Sequence, residues 1–294
     1  MDTALKLKIE SDNGIIFQKE EAFRILNESK IVSELTADLT DKSLFYVWRL
    51  IALSEIPYAE HLEYTKSLIN KIYEKLTTPY GFSLSGDEKM FLPCYNAMVV
   101  SALCRLGRAK DNEVKIAVDW INNYQPMKRG LVVSIPGLNF DRYGGCFKKT
   151  PCYIGLAKSV IALFLYHKST GDKSVEQKLK QGIEYLLEHQ LINRLSCDKP
   201  ITGHILDISF PESYHLNIVE LIRFASQADL LEDSRTHKAV EYLRNIKTSE
   251  DNWKVNYRYK ANGYTVFDKG RNSGDWVTHI INEALKKRQN GTVN

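Results

Sequence analysis

The sequence predicts an all-α chain of repeated helical hairpins, and three observations carry that prediction. Apolar residues recur at three- and four-residue spacings in Leu44–Leu53, Tyr64–Leu76, Tyr95–Leu106, Val114–Tyr124, Ile154–His167 and Val175–Leu187. They do so again in Leu216–Ala228, Arg235–Leu243 and Trp276–Leu285. Strict alternation, the strand pattern, is brief and confined to stretches such as Tyr257–Phe267. Finally, the helices come in pairs and the pairs repeat.

The repeat is visible in small-apolar clusters near helix ends. Ile51-Ala52-Leu53, Ser101-Ala102-Leu103, Ile161-Ala162-Leu163, Phe224-Ala225-Ser226 and Glu283-Ala284-Leu285 occupy equivalent places. Their alanines are spaced by 50, 60, 63 and 59 residues. A short turn and a second helix follow each of the first four, as in the segments beginning at Lys115 and Lys238. Hairpins at this period bury their faces against neighbouring hairpins, which a closed ring and an open solenoid both satisfy. The expected organisation is one domain over residues 1–294, with residues 1–40 outside the clear repeat and 289–294 a flexible tail.

Composition narrows the function classes. Of 294 residues, 40 are Lys or Arg and 36 Asp or Glu, a formal net charge of +4. Basic and acidic residues alternate along the chain, whereas a nucleic-acid binder concentrates positive charge on one face. No nucleic-acid partner is expected. No run approaches the roughly 20 apolar residues of a membrane span. The first residues lack the apolar core of a signal peptide, and five cysteines are too few for a disulfide scaffold. The expectation is a cytoplasmic protein.

Several helix pairs end in turns carrying Gly or Trp: Tyr80-Gly81-Phe82, Gly144-Gly145-Cys146-Phe147 and Asn252-Trp253. To these add Thr150-Pro151-Cys152-Tyr153 with Gly155 and Lys158, Phe210-Pro211 with Tyr214, and Ser273-Gly274-Asp275-Trp276-Val277-Thr278. From about Tyr80 to Leu285 the chain thereby resembles the prenyltransferase and squalene-cyclase repeat superfamily, in an uncharacterised bacterial and archaeal branch. The resemblance implies an α/α toroid with inner and outer helix rings, of the terpenoid-cyclase and protein-prenyltransferase kind. It also implies an aromatic-lined cavity for an apolar, isoprenoid-like ligand, with Tyr95, Phe147, Tyr153, Tyr214 and Trp276 as the lining residues.

The superfamily's catalytic motifs are missing. The chain has no Asp-x-Asp-Asp acid to protonate an alkene and no Asp-Asp-x-x-Asp helix to hold magnesium on a diphosphate. It also lacks the Asp-x-Cys of a catalytic zinc site. What stands out instead is Cys146 and Cys152, with five residues between them in a Gly-rich loop entering a helix. Thr150 reads as that helix's N-cap and Pro151 as its first residue, which places Cys152 in a turn whose free N–H groups favour a thiolate. Cys197 and His204 follow the next long helix. Three thiolates and one imidazole make a tetrahedral zinc shell, so Cys146, Cys152, Cys197 and His204 are the candidate ligands and zinc the candidate cofactor. A reactive-thiol role and plain packing suit the same cysteines. Cys94 and Cys104 read as core.

His215 and Asp207 are the candidate acid–base residues, since an imidazole titrates near neutrality. Glu212 closes a Ser209-x-x-Glu212 capping pattern and Asp275 precedes an apolar helix, so both read first as caps. The expected function is a toroid holding an apolar ligand, with a cysteine-based zinc or thiol site. A non-catalytic interaction scaffold with a protein partner is the first alternative. The second is a carbohydrate-active toroid, which needs two carboxylates roughly 5–10 Å apart in one cleft, with Asp207, Glu212 and Asp275 as the loop candidates.

Overall fold

A computed structural model describes residues 1–38, 40–131, 133, 135, 146, 150–270 and 274–286. Among them, the helices in chain order are α1 (Thr3–Asp12), α2 (Lys19–Asn27), α3 (Lys30–Thr36), α4 (Ser43–Leu53), α5 (Glu63–Leu76) and α6 (Pro93–Arg105). There follow α7 (Asn112–Tyr124), α8 (Tyr153–Thr170), α9 (Glu176–Glu188), α10 (Ile218–Gln227), α11 (His237–Asn245) and α12 (Asp275–Lys286). Two small antiparallel ladders pair β1 (Thr77–Thr78) with β2 (Gly81–Phe82), and β3 (Asn193–Arg194) with β4 (Cys197–Pro200). The chain is all-α in class. None of these helices is long and apolar enough to cross a membrane. The expected tail at 289–294 lies outside the described residues.

The chain divides into two compact units, one of residues 35–185 with 261–263, the other of residues 1–34, 186–260 and 264–294. In the first, α6 packs against α4, α7 and α8. Every α6 residue from Pro93 to Cys104 is buried, as are Phe45 to Leu53 of α4 and Gly155 to Leu163 of α8. Helices apolar on all sides must be surrounded. By contrast α7 buries one stripe, Val114, Ala117, Val118 and Ile121, at the spacing of a single helix face. The stripe on α5 is Leu68, Ile69, Ile72 and Leu76. Buried Asn96 ties the layers together: its Oδ1 accepts from Phe82 N (2.9 Å) and its Nδ2 donates to Ala117 O (3.2 Å). That close approach requires glycine at position 81, with φ 117° and an imagined Cβ 2.5 Å from Asn96 Oδ1.

In the second unit α10 packs between α11 and α12, and α1 lies against α2 and α12. Nearly all of α10 is buried, while α11 buries only Ala239, Val240 and Leu243. Asp2 caps α1 through Ala4 N (3.0 Å) and also accepts from Ser29 Oγ (2.6 Å) and Lys30 N (3.0 Å). The expected caps shift here. Residues 209–217 form no helix; α10 starts at an Asn217 N-cap whose Oδ1 accepts from Glu220 N (3.1 Å). So the cap is Asn217, ahead of Glu220, rather than Ser209 ahead of Glu212. At α12 the cap is not Asp275 but buried Asp268, which accepts from Trp276 N (3.1 Å) and Val277 N (3.0 Å). Trp253 donates Nε1–H to Leu243 O (2.8 Å) and N–H to Thr278 Oγ1 (2.9 Å), joining two of the motifs seen in the sequence.

Burial raises the Asp268 carboxyl above the ordinary range, outweighing the N–H bonds that favour its charge. Asp268→Ala is therefore expected to cost about 1–2 kcal/mol in urea unfolding, the usual loss for an N-cap. Asp268→Asn, which keeps an acceptor oxygen without a buried charge, should lose less than half of that. A folded pKa above the unfolded one means that stability falls as pH rises from the ordinary carboxylate range through the raised value. The Asn variant flattens that part of the profile; equal losses and an unchanged profile would refute the capping role.

Candidate functional site

In the second unit the turn after β4 brings together residues distant in sequence. His204 Nδ1 lies 2.7 Å from Asp207 Oδ2, in a turn closed by Asp207 N donating to His204 O (3.1 Å). The next residue is pinned from a distant segment: Ile208 N donates to Asn256 Oδ1 (2.8 Å) and Asn256 N to Ile208 O (3.1 Å). This bond pair sets Tyr257 and Tyr259 beside the histidines. The His204 ring centroid is 4.1 Å from that of His215 and 4.4 Å from that of Tyr257. His215 in turn meets Tyr214 at 5.4 Å and Tyr259 at 5.6 Å, and Tyr259 meets Tyr264 at 5.3 Å. Tyr264 donates its hydroxyl to Pro211 O (2.7 Å), behind the cis peptide Phe210–Pro211.

The geometry has a direct chemical meaning. A carboxylate only accepts, so the imidazole at Nδ1 donates to Asp207 and its Nε2 is left as the proton-accepting atom. The His204 side chain is 38% exposed. The tyrosine and histidine rings beside it offer faces on which an apolar or ring-bearing molecule can stack. Burial pushes the Tyr264 hydroxyl far up, so it stays protonated and structural.

Of the residues expected from sequence, His204, Asp207, Tyr214 and His215 thus meet in one cluster. Tyr257 and Tyr259 were not singled out; their signal was the alternation from Tyr257, which here forms no strand but does leave residues 256, 258 and 260 exposed and 257 and 259 half-buried. Trp276 is buried against Phe267 (4.7 Å) and Phe210 (6.0 Å), a packed core position. Of the carboxylates proposed for sugar chemistry, Asp207 is bonded to His204, Asp275 is exposed at the start of α12 and Glu212 is buried. Glu212 does share a cavity with Glu220 and Arg223, but its volume is about 10 Å³, room for one water and not a sugar.

The cysteines distribute differently from the expected zinc shell. Cys197 is exposed on β4, in an open cleft of about 400 Å³ lined by Glu188, Gln190, Arg194, Asp198 and Lys238. In the other unit, Cys152 is itself the N-cap of α8, two places earlier in the helix than expected, and Thr150 lies before it. Its N–H donates to Cys146 O (3.1 Å), and Cys94 on α6, read from sequence as core, is close enough to feel the charge of both thiols. Burial first, and then Cys152, pushes the Cys146 thiol up to about 11, the reverse of an activated thiolate. Among the described residues no group of three or more His, Cys, Asp or Glu side chains could hold a metal ion. The zinc shell of Cys146, Cys152, Cys197 and His204 therefore finds no support. Nearby, Tyr153 is buried 6.4 Å from Tyr185, and Tyr95 packs edge-on to Trp48 at 5.9 Å. Phe147 lies outside the described residues.

With a pKa of about 11 against an ordinary 9.0, Cys146 holds about a hundredfold less thiolate at neutral pH. Its alkylation by iodoacetamide, followed by peptide mapping, should lag that of exposed Cys197 and climb about tenfold per pH unit until about pH 11. A plateau below 9.0 would refute the effect of burial.

Compared with protein families, curated proteins and solved structures, the chain matches none.

Proposed function

We propose that the chain is an α/α toroid, similar in build to prenyltransferases and squalene cyclases, that binds an apolar, isoprenoid-like molecule at the His204 cluster. The toroid reading is supported by the alternation of surrounded helices (α4, α6, α8, α10) with helices that bury a single stripe (α5, α7, α11). An inner and an outer ring require that alternation. The observation that carries the site is the 2.7 Å contact of His204 with Asp207, packed within 4.4 Å of other rings.

The chemistry follows from acid strength. An imidazole exchanges protons with hydroxyl, carbonyl-activated or water groups near neutral pH, but its conjugate acid is far too weak to protonate an isolated alkene. This site therefore acts on a polar end of the ligand, a hydroxyl or carbonyl, while the rings hold the apolar body. Asp207 orients the imidazole, as the carboxylate does in other Asp–His pairs. Cyclisation by alkene protonation is outside its reach.

The probe is farnesol, an isoprenoid with a hydroxyl end, titrated onto the full chain and followed by NMR of the histidine rings. Saturable shifts at His204 and His215 are expected. Tyr257→Ala should weaken binding about tenfold, the worth of one well-placed aromatic contact. His204→Gln should leave the affinity within about threefold, because the imidazole serves the proton rather than the apolar body. Shifts at neither ring, or an unchanged affinity in Tyr257→Ala, would overturn the proposal.

A further inference from the structure

Three of the five cysteines converge where α6 and α8 begin, and the His204 site uses none of them. We propose that Cys146 and Cys152 form a reversible disulfide, a redox-sensitive pair at the entrance to α8. The backbone bond from Cys152 N to Cys146 O is 3.1 Å long. With standard backbone lengths, such a bond holds the two Cα atoms about 5–7 Å apart. Disulfides span Cα separations of about 4.4–6.8 Å, so the backbone is already within bridging range. Both side chains are half-buried and reachable by a small oxidant, whereas Cys94 and Cys104 are buried. The electrostatic coupling of the two thiols accords with their closeness.

The reaction balances with a peroxide as oxidant. Cys146, whose thiol burial pushes up to about 11, keeps its proton, so the first attack comes from Cys152. Its sulfur attacks one oxygen of hydrogen peroxide, the O–O bond breaks, and the departing hydroxide takes the Cys152 proton as water. The product is a Cys152 sulfenic acid. Cys146 sulfur then displaces hydroxide from that sulfur, its own proton completing a second water. Two thiols and one peroxide become one disulfide and two waters. Proximity compensates for the weak acidity of Cys146 in the second step. A dithiol reductant reverses the bond by thiol–disulfide exchange.

The full chain would be treated with hydrogen peroxide, alkylated with iodoacetamide and mapped by mass spectrometry. The expected result is a peptide pair joined through Cys146 and Cys152, lighter by two hydrogens and restored to two thiols by dithiothreitol. Either Cys146→Ser or Cys152→Ser should abolish the linked peptide, while Cys94→Ser and Cys197→Ser should retain it. Wild-type protein in which both cysteines are alkylated would overturn the proposal. So would oxidation that stops at sulfinic acid on Cys152, or a link that runs to Cys94.

Discussion

A helix without a solvent-facing side cannot stand until other chain surrounds it. That constraint organises the first unit. From Pro93 to Cys104 no residue of α6 faces water, and Asn96 in its first turn is satisfied by the backbone of β2 and α7. An unsatisfied amide there would cost about 1–3 kcal/mol. The neighbours therefore come to α6 at fixed positions: Gly81 admits the β2 turn against Asn96, and the single stripe of α7 closes one side. Even the buried Arg49 of α4 is accommodated, its guanidinium 4.8 Å from the Phe45 ring.

The second unit solves a different problem. Much of it is irregular backbone, and irregular backbone must find hydrogen-bond partners without a ladder. Side chains supply them. Asp268 holds the start of α12, Asn217 the start of α10, Thr278 the backbone of Trp253, and Asn256 the backbone of Ile208. The ring cluster of His204, His215 and Tyr257 rests on the last of these. A site carried on loops and braced from a distant segment is the common arrangement for chemistry on a helical frame.

Much of the helical frame was legible in the sequence because apolar periodicity reports the buried stripe directly. Tyr64–Leu76 was expected and Glu63–Leu76 is observed; Ile154–His167 became Tyr153–Thr170, and Leu216–Ala228 became Ile218–Gln227. The helices α1 to α3 were missed in the first 40 residues. They are short, and α1 buries only Ala4, Leu5 and Leu7, too small a set to mark a face. The caps were misplaced for another reason. Ser209-x-x-Glu212 and Asp275 fit local rules, but Asp268 reaches α12 from outside the helix, and a rule confined to one helix cannot find it.

The site divides along the same line. The sequence by itself determined the all-α class, because apolar periodicity depends on neighbours within a few residues; it set His204 among zinc ligands and Asp207 with His215, and did not pair His204 with Asp207. Only the tertiary structure decided that His215 and Tyr257 pack against that pair, and that Cys146 and Cys152 share their neighbourhood with Cys94. Those meetings join residues from about ten to about sixty positions apart. They are set by which helices must be surrounded and which backbone groups must be satisfied, and no local spacing records that choice.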